Sequence, residues 1–235
     1  MNPFDGAIIP VSAFAGDNGD AVEEVALALQ RCSAQQLSFR ELANVLVGQR
    51  LLLPTQAQLD ASGVINGLEV EKESHLETPI FQSDQGWRAL LVFSSVATAG
   101  LWSQQARLVP TTADDAAQTA LEQECAALII DFAGPHRIAL AGSHLRSLAA
   151  SRQAKEVWQD LEIVEVITQM ARDHGLDVHL DRPAASDVCD ALVVIGTPAI
   201  EAGDLMSRIE SLASELESVP ILRERLDAGL GFVQG

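Results

Sequence analysis

The sequence predicts an α+β protein built as two mixed α/β domains. The larger, over residues 1–150, is expected to hold a mixed sheet with a β-hairpin and flanking helices. The smaller covers residues 160–235. Three observations carry this reading. Helical and strand periodicities mix irregularly along the first part of the chain instead of alternating as βαβα. Two apolar runs, ETPIFQS (77–83) and WRALLVFSS (87–95), flank Asp84-Gln85-Gly86, which is a hairpin signal. The polar stretch SRQAKEVWQD (151–160) then separates this part from a second set of helices and strands. At 235 residues and 48% hydrophobic content the chain has ample material for a buried core, which excludes intrinsic disorder.

The elements follow in order. GAIIPVSA (6–13) is apolar and interrupted by Pro10, the pattern of an extended arm or edge strand. In FAGDNGD (14–20), Asp17, Asn18 or Asp20 is expected to cap a helix over 20–31. There Val22, Val25, Ala26 and Leu29 recur at helical spacing, and Glu23 and Glu24 suit its positive first turn. Asp17 and Asp20 are otherwise expected to face solvent, with Phe14 and the arm packed on the first domain. Ser38-Phe39-Arg40-Glu41 is a capping box opening a short helix that stops near Gly48. RLLLPTQA reads as a buried strand and GVINGLEVEK (63–72) as an irregular loop. After the hairpin come a short helix ending in Leu101-Trp102 and a strand stub, ARLVP, closed by Pro110. Residues 112–124 form a helix with Ala113, Ala116, Ala117, Ala120 and Leu121 on one face. AALIIDF (126–132) is the strongest strand; AGPHR turns it toward IALA, and a helix follows from Ser143.

In the second domain a helix over 161–173 leads through Gly175 to the strands LDVHLD and DALVVIG. Leu205, Met206, Ile209, Leu212, Ala213 and Leu216 make a helical stripe. Val219-Pro220 breaks it and starts a short helix, with Gly229 as the expected C-cap and LGFV as the last strand.

Charge limits the function classes. Fifteen Lys and Arg stand against 33 Asp and Glu, a net charge of −18, with no basic cluster. Nucleic-acid binding needs basic residues to neutralise phosphates, so nucleic acid and anionic membrane are excluded as partners. No apolar run approaches the ~18 residues of a membrane span and no signal peptide is visible, which predicts a soluble cytoplasmic protein. Cys32, Cys125 and Cys189 are odd in number, far apart and without C-x-x-C pairing, so each is expected to be a small core residue.

No motif identifies a chemistry. Counted from Asp17, a calcium loop would place ligands at Gly19 and Ala28, and a phosphate loop would need Lys; both fail. VVIGTPAIEAGD (193–204) lacks Lys and a G-x-G pair, so Thr197-Pro198 reads as a turn and Asp204 as an N-cap. The five histidines form no zinc motif. Asp177, His179 and Asp181 alternate along a strand and are expected on its solvated face. Asp131, His136 and His144 could supply an acid, a base and an orienting group around one turn, but Ser143 lacks the G-x-S-x-G context. Trp102, at the end of its helix, serves either as core or as an interface anchor.

The middle segments carry a resemblance. GWRALLVFSS (86–95), Leu101-Trp102, ARLVP (106–110) and AALIIDFAGP (126–135) closely resemble the SseB family, the enhanced serine sensitivity proteins, in order, spacing and residue type. FAGDNGD is similar to the N-terminal region of its actinobacterial-type members, and PILRERLDAGLGF (220–232) resembles the end of their C-terminal part. Ser94 departs from the family's Thr and Phe132 from its Pro. The family has no established catalytic residues, so the resemblance implies none here, and no metal or cofactor. The expectation is a non-enzymatic interaction or regulatory protein that presents the hairpin and FAGP turn to a protein partner through Trp102, Asp131, Gly134 and Pro135. The alternative is a sensor of a small amino-acid-like molecule, or a weak enzyme, with a pocket near Asp131, His136 and His144.

Overall fold

The computed structural model describes residues 14, 16–58, 63–65, 68–70, 75–184, 187–196 and 202–235. The arm over 6–13 and the turn at Thr197-Pro198 lie outside the described residues. The architecture is α+β, as the mixed periodicities predict.

Helix α1 (Glu23–Ser33) buries Val25, Ala28, Leu29 and Cys32. Helix α2 (Phe39–Leu46) opens on the expected capping box: the Glu41 amide donates to Ser38 Oγ at 3.2 Å and the Ser38 amide to the Glu41 carboxylate at 2.8 Å. Strand β1 (Arg50–Gln58) is followed by β2 (Gly63–Ile65) and β3 (Leu68–Val70), which corrects the loop expected at 63–72. These two strands pair antiparallel, Gly63 opposite Val70 and Ile65 opposite Leu68. Three-residue strands give too little alternation to register as strands. The sequence between them, Asn66-Gly67, is nevertheless the dipeptide that favours tight hairpins.

Strands β4 (His75–Glu77), β5 (Ile80–Gln82) and β6 (Arg88–Val92) come next, then α3 (Val96–Trp102), β7 (Arg107–Thr112), α4 (Ala113–Glu122), β8 (Ala127–Ile130), β9 (Ile138–Ala141) and α5 (Gly142–Ala149). One sheet has the order β5-β6-β8-β9, with β6 and β8 parallel and both outer pairs antiparallel, so the 77–95 hairpin forms as expected. Beside it lies β4-β1-β7, joined to β6 where Leu52 and Phe93 exchange backbone hydrogen bonds of 2.8 and 2.9 Å. That exchange explains why β7 continues through Pro110 to Thr112 when it was expected to stop at the proline. Pro110 sits opposite Leu52, whose N–H and C=O both face Phe93, so no ladder bond is required of Pro110 on this edge strand.

Alternation along the strands divides the sheet into two faces. Leu90, Val92, Leu128 and Ile130 point into the main core under α1, α2, α4 and α5. Ala89, Leu91, Ala127 and Ile129 point the other way, against Phe81, Trp102 and Phe132. Each fully buried leucine of the main core contributes roughly 1.5–3 kcal/mol of transfer free energy. Helix α4 turns Ala113, Ala116, Ala117 and Ala120 inward, small side chains that let it lie close to the sheet. Leu121, expected on that face, is exposed instead, because it follows Ala120 by one residue and so points about 100° away.

A 3₁₀ turn (Val157–Gln159) precedes α6 (Leu161–Asp173), β10 (Val178–Asp181), β11 (Ala191–Ile195), α7 (Ala202–Leu216), α8 (Pro220–Arg225) and β12 (Leu230–Gln234). Their sheet runs β10-β11-β12, antiparallel then parallel. A second cluster centred on Ile167, Val193, Ile195 and Leu212 shares no residue with the main core. Met206, expected on the α7 stripe, is exposed. Asp204 lies inside α7, where it pairs with Arg208 at 2.9 Å, so it is not the N-cap. The α8 C-cap is Leu226; Gly229, with φ of +82°, serves the turn beyond it. The 151–160 segment is tied down more firmly than a linker. The Asn44 amide bonds both ways with the Ala154 backbone, at 2.7 and 3.1 Å, and Arg40 pairs with Glu156.

Candidate functional site

A connected polar cluster sits where the parallel strands β6 and β8 end. Beyond Ile130, Asp131 takes a left-handed backbone conformation, φ +54°, and is buried. Its carboxylate accepts from the Ser94 amide at 2.8 Å and the Ser94 hydroxyl at 2.6 Å, tying the exit of β8 to the exit of β6. The Ser94 carbonyl accepts from Arg50 Nη1 at 2.8 Å. Arg50 Nη2 reaches Asp17 Oδ1 at 2.8 Å and the Asp20 carbonyl. Ser95 next caps α3, bonding the Thr98 amide at 3.1 Å.

This network corrects the reading of FAGDNGD. The N-cap of α1 is Val22, without a side-chain cap, so Asp17, Asn18 and Asp20 do not cap the helix. They build local turns: the Gly19 amide donates to Asp17 Oδ1 and the Asp20 amide to Asn18 Oδ1, both at 3.0 Å. Both Asp17 and Asp20 are exposed residues, as expected, but the Asp17 carboxylate turns inward to hold the buried Arg50. Gly19, φ +79°, gives its carbonyl to the Val96 amide at 2.8 Å, and any Cβ there would run into Val96. The turn is docked against the first turn of α3. Phe14 is half-buried, and its carbonyl accepts from the Asp17 amide at 3.0 Å.

The residues expected to meet a partner divide. Trp102 is half-buried, stacked on Phe93 with centroids 5.5 Å apart, while its neighbour Leu101 is 63% exposed. Asp131 is internal, and its carboxylate is engaged by Ser94, so it shapes the turn rather than offering a group at the surface. The Gly134 amide donates to the Asp131 carbonyl at 2.8 Å and leaves Pro135 exposed at the tip. Phe132 joins an aromatic group with Phe81 at 5.4 Å, and the exposed Trp87 lies 5.9 Å from Phe81.

Asp131, His136 and His144 go to three different places. His136 Nδ1 lies 3.0 Å from Ser33 Oγ at the end of α1. His144 faces cavities lined by neither of the other two. Burial pushes the His144 pKa below its ordinary value against the opposing pull of Asp227. Asp177, His179 and Asp181 are all exposed, as a solvated strand face requires. Cys32 and Cys125 are buried, which pushes their thiols' pKa up and away from nucleophile character; Cys189 is half-buried. Among the described residues no group of three or more His, Cys, Asp or Glu could hold a metal ion.

Sequence reasoning missed the junction between the two clusters. Asp227 accepts from the Ser143 amide at 2.8 Å and hydroxyl at 2.6 Å and from Arg146 at 2.9 Å, capping α5 from 84 residues away. A Cβ on Gly142 would lie 2.6 Å from Asp227 Oδ1, so glycine is required there. Asp190 Oδ2 in turn accepts the amides of Asp227, Ala228 and Gly229 at 2.7–2.9 Å, which orients the loop. Burial acts to raise the Asp227 pKa, but the bonds from Ser143 and Arg146 outweigh it and hold the group below the ordinary carboxylate value. A depressed folded-state pKa favours the ionised form. Its contribution is therefore complete above the unfolded value of about 4 and is lost as pH falls through the folded one. Asp227→Asn should flatten the acid limb of a denaturation-midpoint profile measured between about pH 3 and 7. Parallel profiles for the two proteins would show that this linkage is absent.

The class that emerges is an α+β protein whose mixed sheet is helix-covered on one face and aromatic-covered on the other. Two carboxylates, Asp131 and Asp17, lock the exits of its parallel strands. The family model for the SseB protein N-terminal domain matches residues 23–147, more than half of the chain, and the chain belongs to the SseB family. No curated protein and no solved structure matches it. No helix among the described residues is long and apolar enough to cross a membrane.

Proposed function

We propose that this is a non-enzymatic, cytoplasmic SseB-type protein acting as a protein-interaction or regulatory module. In this reading residues 1–150 form the interaction domain, and residues 160–235 an SseB-like C-terminal domain of the actinobacterial type. One observation carries it. Next to the half-buried aromatic cover formed by Phe81, Trp102 and Phe132, two large apolar side chains stand exposed: Trp87 at 42% and Leu101 at 63%. Rigid loops and aromatic anchors of this kind are where binding concentrates, and the strand-exit network stiffens the turn that carries Pro135. The net charge of −18 favours a partner with a basic surface.

The test is affinity capture from native lysate with the intact protein, Leu101→Asp and Pro135→Asp, after showing that all three unfold at the same temperature. The expected result is a set of proteins retained by the intact chain and lost by both variants. An identical retained set would overturn the assignment of this face.

A further inference from the structure

Strand β12 is an edge strand: among the described residues it pairs only with β11. Two bonds at its ends fix which of its backbone groups are used. The Gly229 carbonyl accepts from the Asp190 amide at 2.8 Å, and the Gly235 amide donates to the Ile195 carbonyl at 2.9 Å. Successive residues of a strand turn their N–H and C=O groups to opposite sides, so the odd-numbered residues face β11. The groups of Leu230, Phe232 and Gln234 face the open edge instead.

Beside this edge lies a pocket of about 410 Å³, within the size range of ligand sites. Leu216 at the end of α7, Leu222 and Leu226 of the α8 segment, and Leu230 and Phe232 of β12 wall it. Arg223 is the one basic residue of the lining and Glu217 the one acidic residue. Arg223 Nε donates to the Glu217 carbonyl at 2.7 Å, which fixes the guanidinium. The residue is exposed and forms no ion pair among the described residues, so its Nη groups are open to a carboxylate.

We propose that the β12 edge and this pocket form a docking groove for the C-terminal end of a partner protein, an extended segment with an apolar last residue and a free carboxylate. The edge takes its backbone, the pocket its last side chain and Arg223 its carboxylate. The lining takes in residues 228–230 and Phe232 but not Val233 or Gln234, so the pocket sits at the start of β12. A segment that seats its last residue there runs antiparallel to β12 along the rest of the edge. A second copy is the poorer occupant, since two chains of net charge −18 repel. The groove shares no residue with the aromatic face of Phe81, Trp87 and Trp102, so neither assignment depends on the other.

The test titrates the ¹⁵N-labelled full chain with a pool of N-acetylated pentapeptides ending in leucine, the other positions mixed, as the free acid and as the amide. The free acid should shift the Leu230, Phe232 and Gln234 amide resonances saturably. The amide should bind about tenfold or more weakly, the loss expected for one charge-assisted contact. Arg223 is exposed, so Arg223→Glu should fold normally and abolish the preference for the acid. Gln234→Pro removes an amide on the open edge and no bond to β11, so it should keep the melting temperature and weaken both forms. Arg172→Glu, an equal charge change at an exposed site outside the lining, should bind as the intact protein does. No saturable shift, shifts that spare β12, or equal binding of acid and amide by the intact protein would overturn the proposal. So would a dimer in sedimentation that Gln234→Pro splits, which would assign the edge to a second copy.

Discussion

Replacing Arg50 by methionine is expected to cost roughly 3–5 kcal/mol of stability, the range for breaking a buried ion pair by removing one partner. The side chains of Arg50 and Asp17 are 9% and 16% exposed, so solvent screens the pair little. Methionine fills similar volume but leaves the Asp17 carboxylate and the carbonyls of Ser94 and Asp20 without their donor. Lysine should rescue only in part, because one ammonium does not span both sides of the network as the two guanidinium nitrogens do. Asp17→Asn should cost less than Arg50→Met, and the double variant less than the sum of the two, since the residues act through one contact. Urea denaturation gives the energies. Amide exchange gives the location: the Val96 amide, bonded to Gly19, should lose protection in Arg50→Met while the β8 amides keep theirs at matched stability. Additive energies with unchanged Val96 exchange would show that Arg50 does not hold the 14–20 turn.

How much of this was legible in the sequence depends on the distance over which a signal acts. The 77–95 hairpin, the β8 strand and the capping box at Ser38 were readable because a period of two, a run of branched apolar residues or an i,i+3 pairing is complete within a few positions. The same reasoning misread Asp17, Asn18 and Asp20. Near a helix start, the local rule assigns carboxylates to caps, whereas Asp17 is claimed by an arginine 33 residues away. The partner of Asp131 lies 37 residues away and that of Asp227 84, and no periodicity encodes either. Weak signals did exist. Arg50 is a charge opening an otherwise apolar strand, and Asp131 is an acid directly after Leu128-Ile129-Ile130, where only a buried partner makes it tolerable.

Substitution of Asp131 should separate the two things that residue does, hold Ser94 and turn the backbone. Asp131→Ala removes the acceptor for the Ser94 amide and hydroxyl and also places an ordinary L-residue at φ +54°. Hydrogen bonds to a charged group are worth about 1.5–3 kcal/mol, and the left-handed backbone costs alanine about 1–2 more, so a loss of about 3–5 kcal/mol is expected. Asp131→Gly keeps the backbone conformation without strain and loses only the bonds, so it should fall between alanine and the parent. Asp131→Asn should come within about 1 kcal/mol of the parent, since asparagine tolerates the left-handed region and its amide can bond both Ser94 groups. Denaturation midpoints should therefore rank Asp, Asn, Gly, Ala. If Gly equals Asn, the carboxylate bonds contribute nothing; if Ala equals Gly, the backbone conformation is unstrained. The ranking also bears on function, because the Asp131 carbonyl anchors Gly134 and thereby positions Pro135. At a temperature where every variant remains folded, partner capture should survive in Asn and decline in Gly and Ala, tracking the order of the turn rather than the charge of the side chain.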